Sequence, residues 1–132
     1  MDIEALISKI IDCAMTVRKA LAPGYLEKVY ENALVYELKQ QGIKAESQKE
    51  LDVFYKGIVV GKYVADIVVE NCVILELKAV QNINVSHESQ LVNYLTATGI
   101  DHGLILNYGN DAKIEIRRKF RIYKTTQRIV CS

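Results

Sequence analysis

The stretch Tyr63-Val64-Ala65-Asp66-Ile67-Val68-Val69-Glu70-Asn71-Cys72-Val73-Ile74-Leu75-Glu76-Leu77-Lys78-Ala79-Val80 reads as two apolar strands joined by a short polar turn. Each strand carries charge where Val or Ile would be buried. Placing Asp66, Glu76 and Lys78 in such strands costs several kcal/mol per ion unless they are paired or bind a cation. If residues 70–72 form the loop, Val69 faces Val73 and Asp66 falls opposite Glu76. Directly paired residues share a face of the sheet, so the two carboxylates converge, and Lys78 points the same way two residues on. Like charges facing each other are unfavourable without a cation between them. Oxygen ligands suit Mg²⁺ or Mn²⁺. A lysine beside that ion would orient water and face phosphate charge. The bland alternative is a salt bridge between Lys78 and one carboxylate on an ordinary strand.

Working outward, Ile3, Leu6, Ile7, Ile10, Ile11, Ala14, Val17 and Leu21 recur at helical spacing, which predicts a helix over 2–21. Pro23-Gly24 ends it. A second helix is expected over 25–41, with Leu26, Val29, Ala33, Leu34 and Leu38 inward and Gly42 left-handed just past its end. Strands follow at 46–55, with Leu51, Val53 and Tyr55 inward, and at 58–69, where Gly61 suggests a bulge. The third strand is 73–80. Ser86 reads as the N-cap of a helix over 87–98, stopped by Gly99. Two more strands are expected at 102–107 and 113–123.

Three further groups of residues carry candidate chemistry. Gln90 and Tyr94, four apart on the third helix, share a face, with His87 one turn earlier. Glu27 falls in the first turn of the second helix, where the helix dipole favours its ionised form, and Tyr30 lies three residues on. The run Lys113 to Lys124 is basic with interleaved aromatics. Lys113, Arg117, Arg118 and Arg121 are its candidate contacts to a nucleic-acid backbone, and a solvated edge strand is the alternative.

The 132 residues suit one domain spanning 1–132, and a hydrophobic content of 50% supports a core. Seventeen basic and sixteen acidic residues give a net charge of +1, which excludes a strongly basic, histone-like binder. Cys13, Cys72 and Cys131 are widely spaced and read as free thiols in a reducing compartment. No signal peptide and no membrane span is visible, so a cytoplasmic location without membrane contact is expected.

Several of these motifs together resemble a known family. Gly24-x-x-Glu27-x-x-Tyr30, the Tyr55-Lys-Gly turn, Ala65-Asp66, Glu76-Leu-Lys78-Ala and His87-Glu-x-Gln90-Leu-x-Asn-Tyr94-Leu are similar to the GxxExxY proteins, grouped with the PD-(D/E)xK nuclease superfamily. The resemblance spans about Ile11 to Phe120, with Ala65 where the superfamily has proline. It implies an α/β (α+β) restriction-endonuclease-like core, a mixed sheet of about five strands flanked by three helices. It also implies Mg²⁺- or Mn²⁺-dependent hydrolysis of phosphodiester bonds, with DNA as the expected substrate. Asp66, Glu76 and the Leu77 carbonyl would hold the metal, and Glu27 would complete the site or bind a second ion. Lys78 would position the nucleophile. Gln90 and Tyr94 resemble the Gln-x-x-x-Tyr motif of the RecB-like branch and would support the substrate phosphate or the lysine. A core this small is expected to grip a duplex as a homodimer or with a partner subunit. Two readings from other classes stand beside this one: a non-catalytic nucleic-acid- or partner-binding module retaining the fold, and a structural oligomer with Glu76–Lys78 pairs at its interface.

Overall fold

The computed structural model describes residues 1–123; Lys124 and Cys131 lie outside the described residues. Its elements are α1 (Ile3–Ala20), α2 (Glu27–Gln40), β1 (Ala45–Tyr55), β2 (Ile58–Val69), β3 (Val73–Lys78), α3 (Val85–Thr98), β4 (His102–Asn107) and β5 (Glu115–Phe120). This is the expected order, with ends shifted by a few residues.

The five strands form one sheet in the order β1-β2-β3-β4-β5. Neighbours are antiparallel except β3 and β4, which run parallel because α3 carries the chain back between them. The sheet is therefore mixed. Helices α1 and α2 bury Leu6, Ile10, Val17, Leu34 and Leu38 against Ile67, Leu75, Leu77 and Leu106 on one face. Helix α3 buries Leu91 and Leu95 against Ala65, Val68, Ile74 and Ile105 on the other. The middle strands are covered on both sides, which explains their nearly continuous apolar runs.

Local chemistry sets the ends of the elements. Asp2 caps α1 by accepting from the Ala5 N–H at 2.8 Å. Gly42, at φ +73°, closes α2. Its N–H donates to the Lys39 carbonyl, and the Ile43 N–H donates to that of Leu38, the two bonds of a Schellman motif. Lys56 (φ +50°) and Gly57 (φ +78°) turn β1 into β2. Val53 faces Gly61 while Phe54 faces Val59, so the bulge expected at Gly61 is present.

Four expectations need correction. Helix α3 is capped by Asn84, not Ser86: the Asn84 Oδ1 accepts from the His87 N–H at 3.1 Å, and His87 Nδ1 accepts from the Asn84 N–H at 3.2 Å. This reciprocal pair satisfies two donors where a serine would satisfy one. Leu26 and Val29 are exposed; Tyr30 and Glu31 take the inner face of α2, because the helix begins at Glu27 and its buried stripe runs Tyr30-Leu34-Leu38. Tyr55 is 58% exposed, since the tip of the β1–β2 hairpin extends past both helical layers. Strand β3 stops at Lys78 because the Val80 N–H turns to the Asn107 side chain, donating at 3.0 Å.

Candidate active site

The β2–β3 hairpin has the predicted register. Val69 faces Val73, Val68 faces Ile74 and Ile67 faces Leu75. Glu70 and Asn71 take left-handed φ values in the turn, and the Cys72 N–H donates to the Val69 carbonyl at 3.0 Å. The ladder ends at Ile67–Leu75, one pair short of Asp66 and Glu76. The direct cross-strand opposition expected for the two carboxylates is thus replaced by a notch. In it the Asp66 carboxylate accepts from the Leu77 N–H at 2.8 Å, an amide that the ended ladder leaves to a side chain. Asp66 is fixed on the β3 backbone between Glu76 and Lys78.

Glu76 continues the α3-facing row of β3 after Ile74 and enters a cavity of about 220 Å³. The cavity is lined by Tyr63, Glu76, Lys78, His87, Gln90, Leu91, Tyr94 and Ile105. One partly open space therefore unites the Glu-x-Lys motif of β3 with the Gln90 and Tyr94 face of α3. His87 lines it as well, but its Nδ1 is committed to capping α3, a role that only the structure shows. His102 lies at the far end of β4, away from this group.

The remaining predicted residues fall into two sets. Glu27 is exposed at the start of α2, near enough that its charge acts on Glu76. Tyr30, its motif partner, is fully buried: its hydroxyl donates to the Ala22 carbonyl at 2.6 Å and its ring stacks on Tyr108. Tyr30 thus holds the Pro23-Gly24 turn rather than the site. Lys113 is exposed beside the C-terminal end of β4, the end that carries the site. Arg118 and Arg121 lie toward the opposite end, where Arg118 forms a two-pronged pair with Glu4 (2.8 Å) and Arg121 pairs with Asp101 (2.8 Å). Arg117 is 3.6 Å from Glu115.

Two residues near the site escaped the sequence reading. Tyr63 stacks on Tyr94, ring centroids 3.9 Å apart, and its hydroxyl donates to the Glu76 carboxylate. Its i−3 spacing from Asp66 was visible, but nothing in the sequence paired it with α3. Glu31 is only 3% exposed. Its carboxylate accepts from Lys28 at 2.8 Å, from Gln48 at 2.9 Å and from the Ser47 hydroxyl. A charge at a position that falls on the buried stripe of α2 was the available signal.

The electrostatics are those of an anionic pocket. Burial pushes the Glu76 carboxyl up to about 7; hydrogen bonding to the Asp66 backbone and the Lys78 charge oppose this, while Glu27 and Glu31 add to it. Asp66 is raised as well, by burial and by Glu31, against the Leu77 N–H, Gln48 and Lys78. Carboxylates thus outnumber the neighbouring cation, an imbalance that a bound divalent ion would reverse. Among the described residues no three His, Cys, Asp or Glu side chains form a ready ligand cluster. The donor set fits a hard ion held by one or two carboxylates that keeps several waters.

Comparisons with known proteins agree with this architecture. The chain is similar to the solved structure of SSO0001, with a TM-score of 0.58 and 19% identity over 74% of this chain and 50% of that one. It is also similar to an alkaline exonuclease (LHK-Exo) from Laribacter hongkongensis, with a TM-score of 0.52 and 13% identity over 72% and 56% of the two chains. These likenesses establish the fold, and the chain spans about half the length of either protein. No curated protein matches it. Among the described residues, no helix is long and apolar enough to cross a membrane. The sequence pattern of the PD-(D/E)XK nuclease superfamily, whose members generally use divalent metals, matches residues 4–119. The chain belongs to the PD-(D/E)XK nuclease superfamily.

Proposed function

We propose that this protein is a Mg²⁺- or Mn²⁺-dependent nuclease that hydrolyses phosphodiester bonds in DNA, and that residues 1–132 act as one nuclease unit. Within the superfamily, Gly24-x-x-Glu27-x-x-Tyr30 and Gln90-x-x-x-Tyr94 favour the GxxExxY group and the RecB-like branch. The observation that carries the proposal is the shared cavity: Glu76, Lys78, Gln90 and Tyr94 line one space, and Asp66 is tied to the backbone between the first two. An ordinary Glu–Lys salt bridge would need neither the α3 residues nor the notch.

Asp66, Glu76 and the Leu77 carbonyl would hold the ion, with Glu27 near the entrance. When bound, the ion supplies Lewis-acid polarisation of the phosphate and lowers the pKa of its water. Lys78 orients the attacking water and faces the charge that develops on the phosphate oxygens. Water adds to phosphorus as the phosphodiester P–O bond breaks; the proton that the attacking water gives up passes to solvent, and the released alkoxide takes one from solvent. Gln90 donates toward the phosphate from α3. Tyr94, braced by Tyr63, closes the cavity over Glu76. Lys113, with Arg117, adds backbone contacts without sequence readout, while Arg118 and Arg121 stay with Glu4 and Asp101 at the other end of the sheet.

The test uses single- and double-stranded DNA with Mg²⁺ or Mn²⁺, comparing wild type with Glu76→Gln and Lys78→Met. Loss of cleavage by at least a hundredfold in both variants, with unchanged urea midpoints or an increase, supports the assignment. Equal cleavage by wild type and variants would reject it. Metal-independent DNA binding without cleavage would favour a binding module retaining the fold.

A further inference from the structure

We propose that Gln48 is a positioning residue: held between Glu31 and Asp66, it aims the Asp66 carboxylate at a divalent cation. The proposal rests on reading Asp66 as a cation ligand. Gln48 lies opposite Asp66 in the β1–β2 register, between the pairs Ser47–Ile67 and Lys49–Ala65. At this point both strands exchange faces. Ala45, Ile67 and Val69 pack with α1 and α2, whereas Leu51, Tyr63 and Ala65 pack under α3. Strict alternation would have kept these odd-numbered residues on one side.

Gln48 itself adopts φ +52° in mid-strand, a left-handed conformation that an L-residue other than Gly, Asn or Asp rarely takes. The residue is exposed, so core packing does not force that conformation. Its side chain supplies the reason. Gln48 Nε2 donates to Glu31 Oε1 at 2.9 Å, and the same amide lies against Asp66 and favours its ionised form. Glu31 is anchored from its other oxygen by Lys28 and Ser47, so it acts as a fixed post.

The chemistry of the amide fits the task. A primary amide has two N–H donors and can serve two carboxylates at once. Being neutral, it orients Asp66 without cancelling its charge, which a lysine or arginine in the same place would do. The negative charge stays available to a cation.

The experiment measures Mn²⁺ binding by calorimetry to the whole protein without DNA, for wild type, Gln48→Gly, Gln48→Asn and Asp66→Asn, alongside urea midpoints. Gln48→Gly removes the amide and relaxes the left-handed backbone, so it should fold as well as wild type yet bind Mn²⁺ about tenfold or more weakly. Gln48→Asn keeps an amide and tolerates the backbone, so its affinity should fall between the two. It also replaces the glycine variant if β1 weakens. Affinities of both Gln48 variants within twofold of wild type, with Asp66→Asn still defective, would overturn this proposal alone. If wild type binds no Mn²⁺, or Asp66→Asn binds it normally, the cation reading of Asp66 fails and takes this proposal with it.

Discussion

At the scale of single residues, the site end of the sheet is held by side chains that stand in for backbone partners. Asn107 is fully buried at the end of β4. Its Oδ1 accepts from the Val80 and Gly109 N–H groups at 3.0 Å, and its Nδ2 donates to Glu115 at 2.8 Å. Glu115 also accepts from the Ile83 N–H at 2.9 Å, so the segment after Lys78 is tied to β5. These two hydrogen bonds hold the Glu115 carboxyl below its ordinary value. A carboxyl whose pKa is depressed in the native state contributes stability above its unfolded value, and that contribution is lost as pH falls through the native value. Glu115→Gln should therefore lower the urea midpoint at neutral pH, and the gap to wild type should close below about pH 4. A gap that stays constant down to pH 3 would show that the ionised form contributes nothing.

At the scale of elements, the close approach of the β4–β5 loop to the chain beyond β3 shapes the site. A Cβ on Gly109 would lie 2.4 Å from both the Val80 nitrogen and its carbonyl oxygen, backbone atoms that cannot swing aside. Gly61, beside the β1–β2 bulge, has open space around the same position. Gly109→Ala should destabilise the protein by about 1–3 kcal/mol through overpacking. Because it also displaces the segment that follows Lys78, it should weaken Mn²⁺ binding. Gly61→Ala should change stability by less than about 1 kcal/mol. Chemical denaturation of both variants checks the contrast; equal effects would mean that the loop yields easily.

At the scale of the whole molecule, the distribution of charge decides where nucleic acid can approach. The net charge of +1 gives no global attraction. The site end carries Lys78 and Lys113, while Arg118 and Arg121 sit toward the other end with acidic partners. Lys113→Ala should thus reduce the slope of log K for DNA binding against log salt by about one, the loss of a single phosphate contact. Arg118→Ala should leave that slope nearly unchanged and remove the Glu4 pair instead. A larger effect from Arg118 would place the duplex across β5 rather than over the cavity.

The sequence alone determined the elements and the register. Helical periodicity, Pro23-Gly24, Gly42, Gly99 and the turn residues set the order of helices and strands, and the odd-length loop at 70–72 set the pairing of Val69 with Val73. These are local properties, carried by residues a few positions apart. The motif of Glu76 and Lys78 was legible for the same reason. The tertiary structure alone decided that the ladder ends before Asp66, because strand divergence depends on what packs above and below. It also decided that α3 brings Gln90 and Tyr94 over Glu76, and that Glu31 and Tyr63 join them. Glu31, buried on α2, and Gln48, left-handed on β1, meet only when the helix lies across the strand, a contact for which neither periodicity nor spacing carries a signal.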